Sequence, residues 1–215
     1  MEYHKIETLY ERDEKTHRLK PELILKNSVY GIIKTWQFTE KIDGTNIRLI
    51  WEPAITVTDG PCRPESLRIG GKTDNAQIHA DLIVNIERLE LREKLREVFP
   101  TTDVILYGEG YGAGIQKGGD YSDTKKFILF DVLVDGKWWL SWENTCDVAA
   151  KLGIDAVPYF GEMTLEEATG FVRGGFQSAL NGGKMKAEGL VGRPIEALFD
   201  KKGHRLIVKL KTKDF

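Results

Sequence analysis

The stretch Phe38 to Trp51, FTEKIDGTNIRLIW, opens and closes like a β-strand but places Lys41 between two acids, Glu40 and Asp43, where the chain must turn at Gly44. Apolar and β-branched residues on either side of a polar, glycine-containing interruption predict two strands meeting at a turn. The ordinary explanation of such a lysine is a solvated ion pair at a hairpin. A lysine that does chemistry needs partners from elsewhere in the chain, so the surrounding sequence decides between the two readings.

On both sides of this stretch, strand-like runs outnumber helical ones. NIRLIW, ITVT, SLRI, DVILYGEG, KFILFDVLV, KWWLSW, EGLVGR and RLIVKLK are rich in β-branched and aromatic residues, and most are bounded by Gly, Pro, Asp or Asn. Asp135-Gly136 joins two of them as a hairpin. Helical spacing runs through HADLIVNIERLELREKLREVF, where Leu82, Ile86 and Leu89 repeat at i, i+4, i+7, as do Leu91, Leu95 and Val98. A second helix is expected from Trp142 to Leu152, stopped by Gly153, and a third from Thr164, where Glu167 completes a capping box. Scattered helices among hairpin-connected strands predict an α+β fold of antiparallel β-sheets flanked by helices.

Composition narrows the function. A chain of 215 residues with 41% hydrophobic residues can bury one core, so residues 1–215 are expected to form a single domain, with no chemistry assignable to residues 1–35. A formal net charge of −2 argues against coating nucleic acid by bulk charge, yet residues 181–215 carry nine Lys or Arg against four Asp or Glu. A polyanion would be met locally. Cys62 and Cys146 are too few for a disulfide framework or a cysteine zinc site. No signal peptide or spanning segment is evident, so a cytoplasmic protein is expected.

Two phosphate-binding look-alikes fail. RIGGKTDN ends like a P-loop, but the required earlier glycine falls at Ser66. YGEGYGAGIQKGG follows a strand without an evident helix and carries Glu109 at its centre, unlike a dinucleotide fingerprint.

Read in order, Lys41-Ile-Asp-Gly44, the strand-end Glu109 in LYGEGYG, Phe130 in FILFDVL, Glu188 in AEGLVGR and the closing VKLKTKDF resemble the successive motifs of the covalent nucleotidyltransferases: DNA ligases, RNA ligases and mRNA capping enzymes. Asn46 in EKIDGTN, where DNA ligases usually carry arginine, makes the chain most similar to the nick-sealing RNA ligases of phages and the RNA-editing ligases. The resemblance runs from about Phe38 to Phe215. It departs at Gly71-Lys72-Thr73, where relatives often carry a basic Gly-Lys-Arg segment, and the sequence ends just after Lys209 and Lys211, so the accessory C-terminal domain of many relatives is expected to be missing.

The resemblance implies ATP and Mg2+ or Mn2+ as cofactors. Its partner would be RNA with 5′-phosphate and 3′-hydroxyl ends, best presented as a nicked duplex, with a partner protein or a homodimer left open and no membrane. Lys41 would be the nucleophile, with Lys209 and Lys211 bracketing the α-phosphate. Glu109 would accept from the ribose, Phe130 would stack on adenine, and Glu188 would hold the metal. Glu40, Asn46 and Lys72 complete the expected nucleotide set. A DNA ligase, a GTP-using capping enzyme and a non-catalytic RNA-end-binding module are the alternatives.

The chemistry sets one condition. A lysine attacks phosphorus only as the neutral amine, and an unperturbed lysine is about one part in 2,500 neutral at pH 7, a penalty of roughly 4.6 kcal/mol. A neighbouring cation relieves it, and Lys209, Lys211 and a divalent metal are the candidates. Glu40 and Asp43 are therefore expected to point away from the amine.

Overall fold

The computed structural model describes residues 1–56, 62–116 and 121–215. The end of the expected strand at 55–58 and the end of the glycine-rich run at 107–119 lie outside them. In chain order the strands are β1 (Glu7–Thr8), β2 (Trp36–Glu40), β3 (Thr45–Glu52), β4 (Ser66–Gly70), β5 (Val104–Tyr111), β6 (Lys126–Val134), β7 (Trp138–Trp139), β8 (Tyr159–Met163), β9 (Gly189–Pro194) and β10 (Val208–Lys211). The helices are α1 (Ala80–Glu87), α2 (Leu91–Val98), α3 (Trp142–Leu152) and α4 (Leu165–Gly174).

These elements form two compact units. One comprises Met1–Tyr3 and Asp43–Ala156, the other His4–Ile42 and Val157–Phe215, so the chain leaves one for the other immediately after Ile42. The first unit holds the sheet β4-β3-β5-β6-β7, antiparallel throughout. Period-two alternation along β3 sends Ile47, Leu49 and Trp51 into a core shared with Leu82 and Ile86 of α1, Leu91 and Leu95 of α2, and Val148 and Leu152 of α3. The second unit holds the sheet β1-β10-β9-β2-β8, in which β1 pairs with β10 in parallel and the other pairs are antiparallel. Trp36, Phe38, Leu190, Val208 and Leu210 pack there with Ala168 and Val172 of α4. The mixed α+β class and the antiparallel sheets agree with the sequence reading, apart from the parallel β1.

Local chemistry explains most boundaries. Ser141 Oγ accepts from Asn144 N to start α3 and Gly153, at φ 66°, ends it; Thr164 and Glu167 form the reciprocal capping box of α4. Asp135 and Gly136 both have positive φ, as a two-residue hairpin turn requires. Two expectations need correction. The helical run at 79–99 is two helices, broken where Glu90 turns left-handed at φ 51°. From Ile86 to Leu91, five residues would rotate a continuous helix by about 500°, putting the two apolar stripes on different faces, and the break returns both to one core. KWWLSW contributes only Trp138–Trp139 as strand, because Ser141 is already the cap of α3.

Candidate active site

Three adjacent strands of the second unit assemble a cluster of charge. Pairing of β2 with β9 sets Glu40 opposite Leu190, and the next residue, Lys41, donates its backbone N–H to Gly189 O at 2.9 Å. On the other side of β9, Lys211 lies opposite Gly189 and Lys209 opposite Val191. Lys41 and Lys211 thus approach Glu188 from two sides: Lys41 Nζ donates to Glu188 Oε2 at 2.5 Å and Lys211 Nζ to Oε1 at 2.6 Å. All three side chains are only 14–21% exposed, which excludes the solvated-hairpin explanation of Lys41. The glycine after Glu188 is sterically obligatory, since a Cβ at Gly189 would sit 1.9 Å from Leu210 O and force β9 and β10 apart.

Alternation on β10 turns Leu210 into the core and leaves Lys209 and Lys211 on the other face. Burial, then the charges of Lys211 and Lys41, hold Lys209 down to a pKa of about 8. The cation repulsion expected around the nucleophile is thus expressed at Lys209. Because this value lies below that of an unfolded lysine, the unfolded chain binds more protons between about pH 8 and 10.5. The buried ammonium therefore opposes folding fully below pH 8, and its cost fades as pH rises through that window. Lys209→Met is expected to raise stability by about 1–3 kcal/mol at pH 7, and by progressively less above pH 8, in urea unfolding at a series of pH values. An advantage independent of pH would assign the gain to packing alone.

Glu40, 2% exposed, turns its carboxylate away from Lys41 to accept from Ala179 N at 2.9 Å. Burial raises its pKa, opposed by Ser178 and the Ala179 amide. Among the described residues, no group of three or more His, Cys, Asp or Glu is placed to hold a metal. Glu188 supplies a single carboxylate, which suits magnesium only if water and phosphate oxygens complete the shell.

The remaining predicted residues lie in the first unit. Asn46 faces Glu109 across β3 and β5, and its buried Oδ1 accepts no hydrogen bond from the described residues. Gly44 is as constrained as Gly189: a Cβ there would meet Gly110 O at 2.3 Å and Glu109 Cγ at 2.8 Å. Phe130 is the extra residue where the β5–β6 register shifts, between the pairs Tyr107–Asp131 and Gly108–Leu129. A bulge re-aims a side chain that simple alternation would send elsewhere, and Phe130 is left half-buried. Lys72 is exposed in the turn after β4.

Two supporting residues escaped sequence reading. Arg48, 1% exposed, donates to Gly71 O at 2.7 Å and to Asp74 Oδ1 at 2.8 Å, anchoring the turn that carries Lys72. Tyr3 packs edge-on against Phe130 at 5.1 Å between ring centroids and donates to Asp131 Oδ2 at 2.8 Å. Neither has a local signal, because their partners lie more than 20 residues away in sequence.

The RNA ligase family model matches residues 34–211, which span every one of these side chains except Tyr3. The chain belongs to the RNA ligase family. Among solved structures, this family member superposes on Naegleria gruberi RNA ligase. An ATP- and Mn-bound mutant of that enzyme gives a TM-score of 0.65 at 17% identity over 98% of this chain and 62% of the other. An AMP- and Mn-bound mutant gives 0.65 at 17% identity over 97% and 60%, and the pyrophosphate-bound form 0.63 at 18% over 97% and 59%. At this identity the likeness establishes the fold shared with these RNA ligases, and the chain spans about three fifths of their length. A comparison with curated proteins returned no match. No helix among the described residues is long and apolar enough to cross a membrane.

Proposed function

We propose that this chain is an ATP-dependent RNA ligase that works through a lysyl-AMP intermediate on Lys41. The observation that carries the reading is the convergence of Lys41 and Lys211 on the two oxygens of Glu188, with Lys209 next to Lys211 on the same strand face. An isolated surface ion pair needs none of this. A site that transfers a phosphoryl group needs a nucleophile, cations to neutralise phosphate charge and a carboxylate for a hard metal in one place.

Three displacements at phosphorus follow. The Lys41 amine, freed of its proton and of Glu188, forms an N–P bond to the α-phosphate of ATP as the bond to pyrophosphate breaks. An oxygen of an RNA 5′-phosphate then takes the adenylate, breaking the N–P bond, and the amine regains a proton. Finally an RNA 3′-hydroxyl, losing its proton to solvent, attacks that 5′-phosphate and AMP leaves. Lys209 and Lys211 neutralise the charge on the transferred phosphate. The buried Asn46 Oδ1, without a hydrogen-bond partner among the described residues and opposite Glu109, suits the hydroxyls of a ribose, and half-buried Phe130 offers a face to adenine. Glu188 would hold magnesium or manganese, which would supply charge neutralisation there. The reaction suits the cytoplasm, where the thiols of Cys62 and Cys146 stay reduced.

The test is to incubate the protein with magnesium and each α-labelled nucleoside triphosphate and to follow label on the denatured chain. ATP is expected to label it, in a bond stable to base and cleaved by acid as a phosphoramidate is. Label from GTP instead would move the assignment to capping chemistry, and a folded protein that binds RNA ends without labelling would be a non-catalytic module.

A further inference from the structure

In the first unit, one aromatic residue is packed outside the helix-covered core. Alternation along β3 and β5 sends Ile47, Leu49 and Leu106 towards the helices and sets Asn46 and Arg48, with Glu109 and Tyr107, on the opposite face. Tyr3 lies over that face and is only 7% exposed. Its ring centroid is 4.9 Å from that of Tyr107, 5.1 Å from Phe130 and 5.7 Å from Trp139. Its hydroxyl donates at 2.8 Å to Oδ2 of Asp131, the residue after Phe130. The backbone just before it is fixed too, because Met1 O accepts from Tyr107 Oη at 2.9 Å and from Arg48 Nη1 at 3.3 Å.

Strand register places these groups beside the expected nucleoside. Asn46–Glu109 and Arg48–Tyr107 are successive pairs on one face, about 7 Å apart along the strands. Tyr107 in turn pairs with Asp131 on β6, where Phe130 is the extra residue of the bulge. A residue inserted at a bulge is left out of the regular ladder, so packing must set the direction of its ring. Tyr3 supplies that packing from one side. The rings meet at 72°, a T-shaped contact that covers at most one face of Phe130 and leaves the half-buried ring a face for a base. The seat is dry, since burial pushes the neighbouring Tyr107 phenol up to about 12.

We propose that Tyr3 is a positioning residue for nucleotide binding, holding Phe130 and Asp131 so that the Phe130 ring meets adenine. The inference rests on the ligase reading, in which adenine lies on Phe130 and the ribose against Asn46 and Glu109. Tyr3 itself touches no reacting atom. Its ring braces the stacking ring, and its hydroxyl, bound to the carboxylate of the next residue, locks that brace in register with the bulge. The effect of Tyr3 should therefore fall on the nucleoside half of ATP and leave the triphosphate half untouched.

The experiment compares two probes by equilibrium binding with magnesium present: an ATP analogue with a non-cleavable bridge between the α- and β-phosphates, and inorganic tripolyphosphate, which has no nucleoside. Each is measured on the parent, Tyr3→Leu, Tyr3→Phe, Phe130→Leu and the double variant Tyr3→Leu/Phe130→Leu, with thermal melting as the folding control. Tyr3→Leu keeps apolar bulk but loses ring and hydroxyl, and is expected to weaken the ATP analogue about five- to ten-fold while tripolyphosphate stays within about two-fold. Tyr3→Phe keeps the ring and is expected to recover most of that loss, to within about two-fold of the parent. The double variant is expected to bind no more weakly than Phe130→Leu alone, because Tyr3 acts through that ring. Unchanged affinity for the analogue in Tyr3→Leu, an equal loss of tripolyphosphate, or full additivity in the double variant would each overturn the positioning role and leave the ligase reading intact. A parent that binds the analogue but is not labelled by ATP would remove the ligase reading, and the same affinities would still decide the role of Tyr3.

Discussion

Lys41→Ala is expected to abolish covalent labelling by ATP, a fall of at least about 1,000-fold in rate, with the fold retained. The loss should be this large because the proposed step forms a bond to the Lys41 nitrogen itself, which positioning by neighbouring groups cannot replace. The structure also supplies a rival. Lys209, with a pKa of about 8, is neutral far more often at pH 7 than an ordinary lysine, and so looks better prepared to attack. Its low value arises from burial and from the charges of Lys211 and Lys41. A triphosphate bound beside it would favour the ammonium again and return Lys209 to service as a cation. The label should therefore map to Lys41 in the parent protein. Peptide mapping of the adenylylated chain decides the matter, and label on Lys209, in the parent or in Lys41→Ala, would reverse the two roles.

Removing the carboxylate shared by two lysines should have the next largest effect. Glu188→Ala leaves the ammonium groups of Lys41 and Lys211 without the oxygens they approach at 2.5 and 2.6 Å. Adenylylation is expected to fall about 100-fold or more, and its dependence on magnesium concentration to weaken, because the carboxylate proposed to hold the metal has gone. Glu109→Ala, which removes the partner facing Asn46 across two strands, is expected to raise the KM for ATP while leaving the magnesium titration unchanged. Titrating magnesium against initial rate for both variants is the check. Superimposable metal curves for Glu188→Ala and Glu109→Ala would contradict the division of labour between the two acids.

Much of the molecule was legible residue by residue. β6 and α3 begin and end where strand composition, Ser141 and Gly153 place them, because a run of β-branched residues or a cap acts within a few residues of itself. The motif glycines were legible as motifs, but their reason was not. Gly44 and Gly189 are required by carbonyl oxygens of other strands, Gly110 and Leu210, more than 20 residues away in either case. The continuous helix read across residues 79–99 failed for a related reason, since a propensity cannot report that two apolar stripes must reach one core.

By itself the sequence determined the α+β class, the order of the motifs and the chemical types at the candidate site. Each of these depends on residue identity and short spacing, which a linear chain already contains. Only the tertiary structure decided which groups meet. Strand pairing set Lys41 and Lys211 on opposite sides of Glu188, turned Glu40 away to Ala179, inserted Phe130 as a bulge and placed Tyr3 against it. It also placed the low pKa on Lys209, since burial and the distance between like charges exist only once β2, β9 and β10 lie side by side. Electrostatics in a site follows separation in space, and separation along the chain does not determine it.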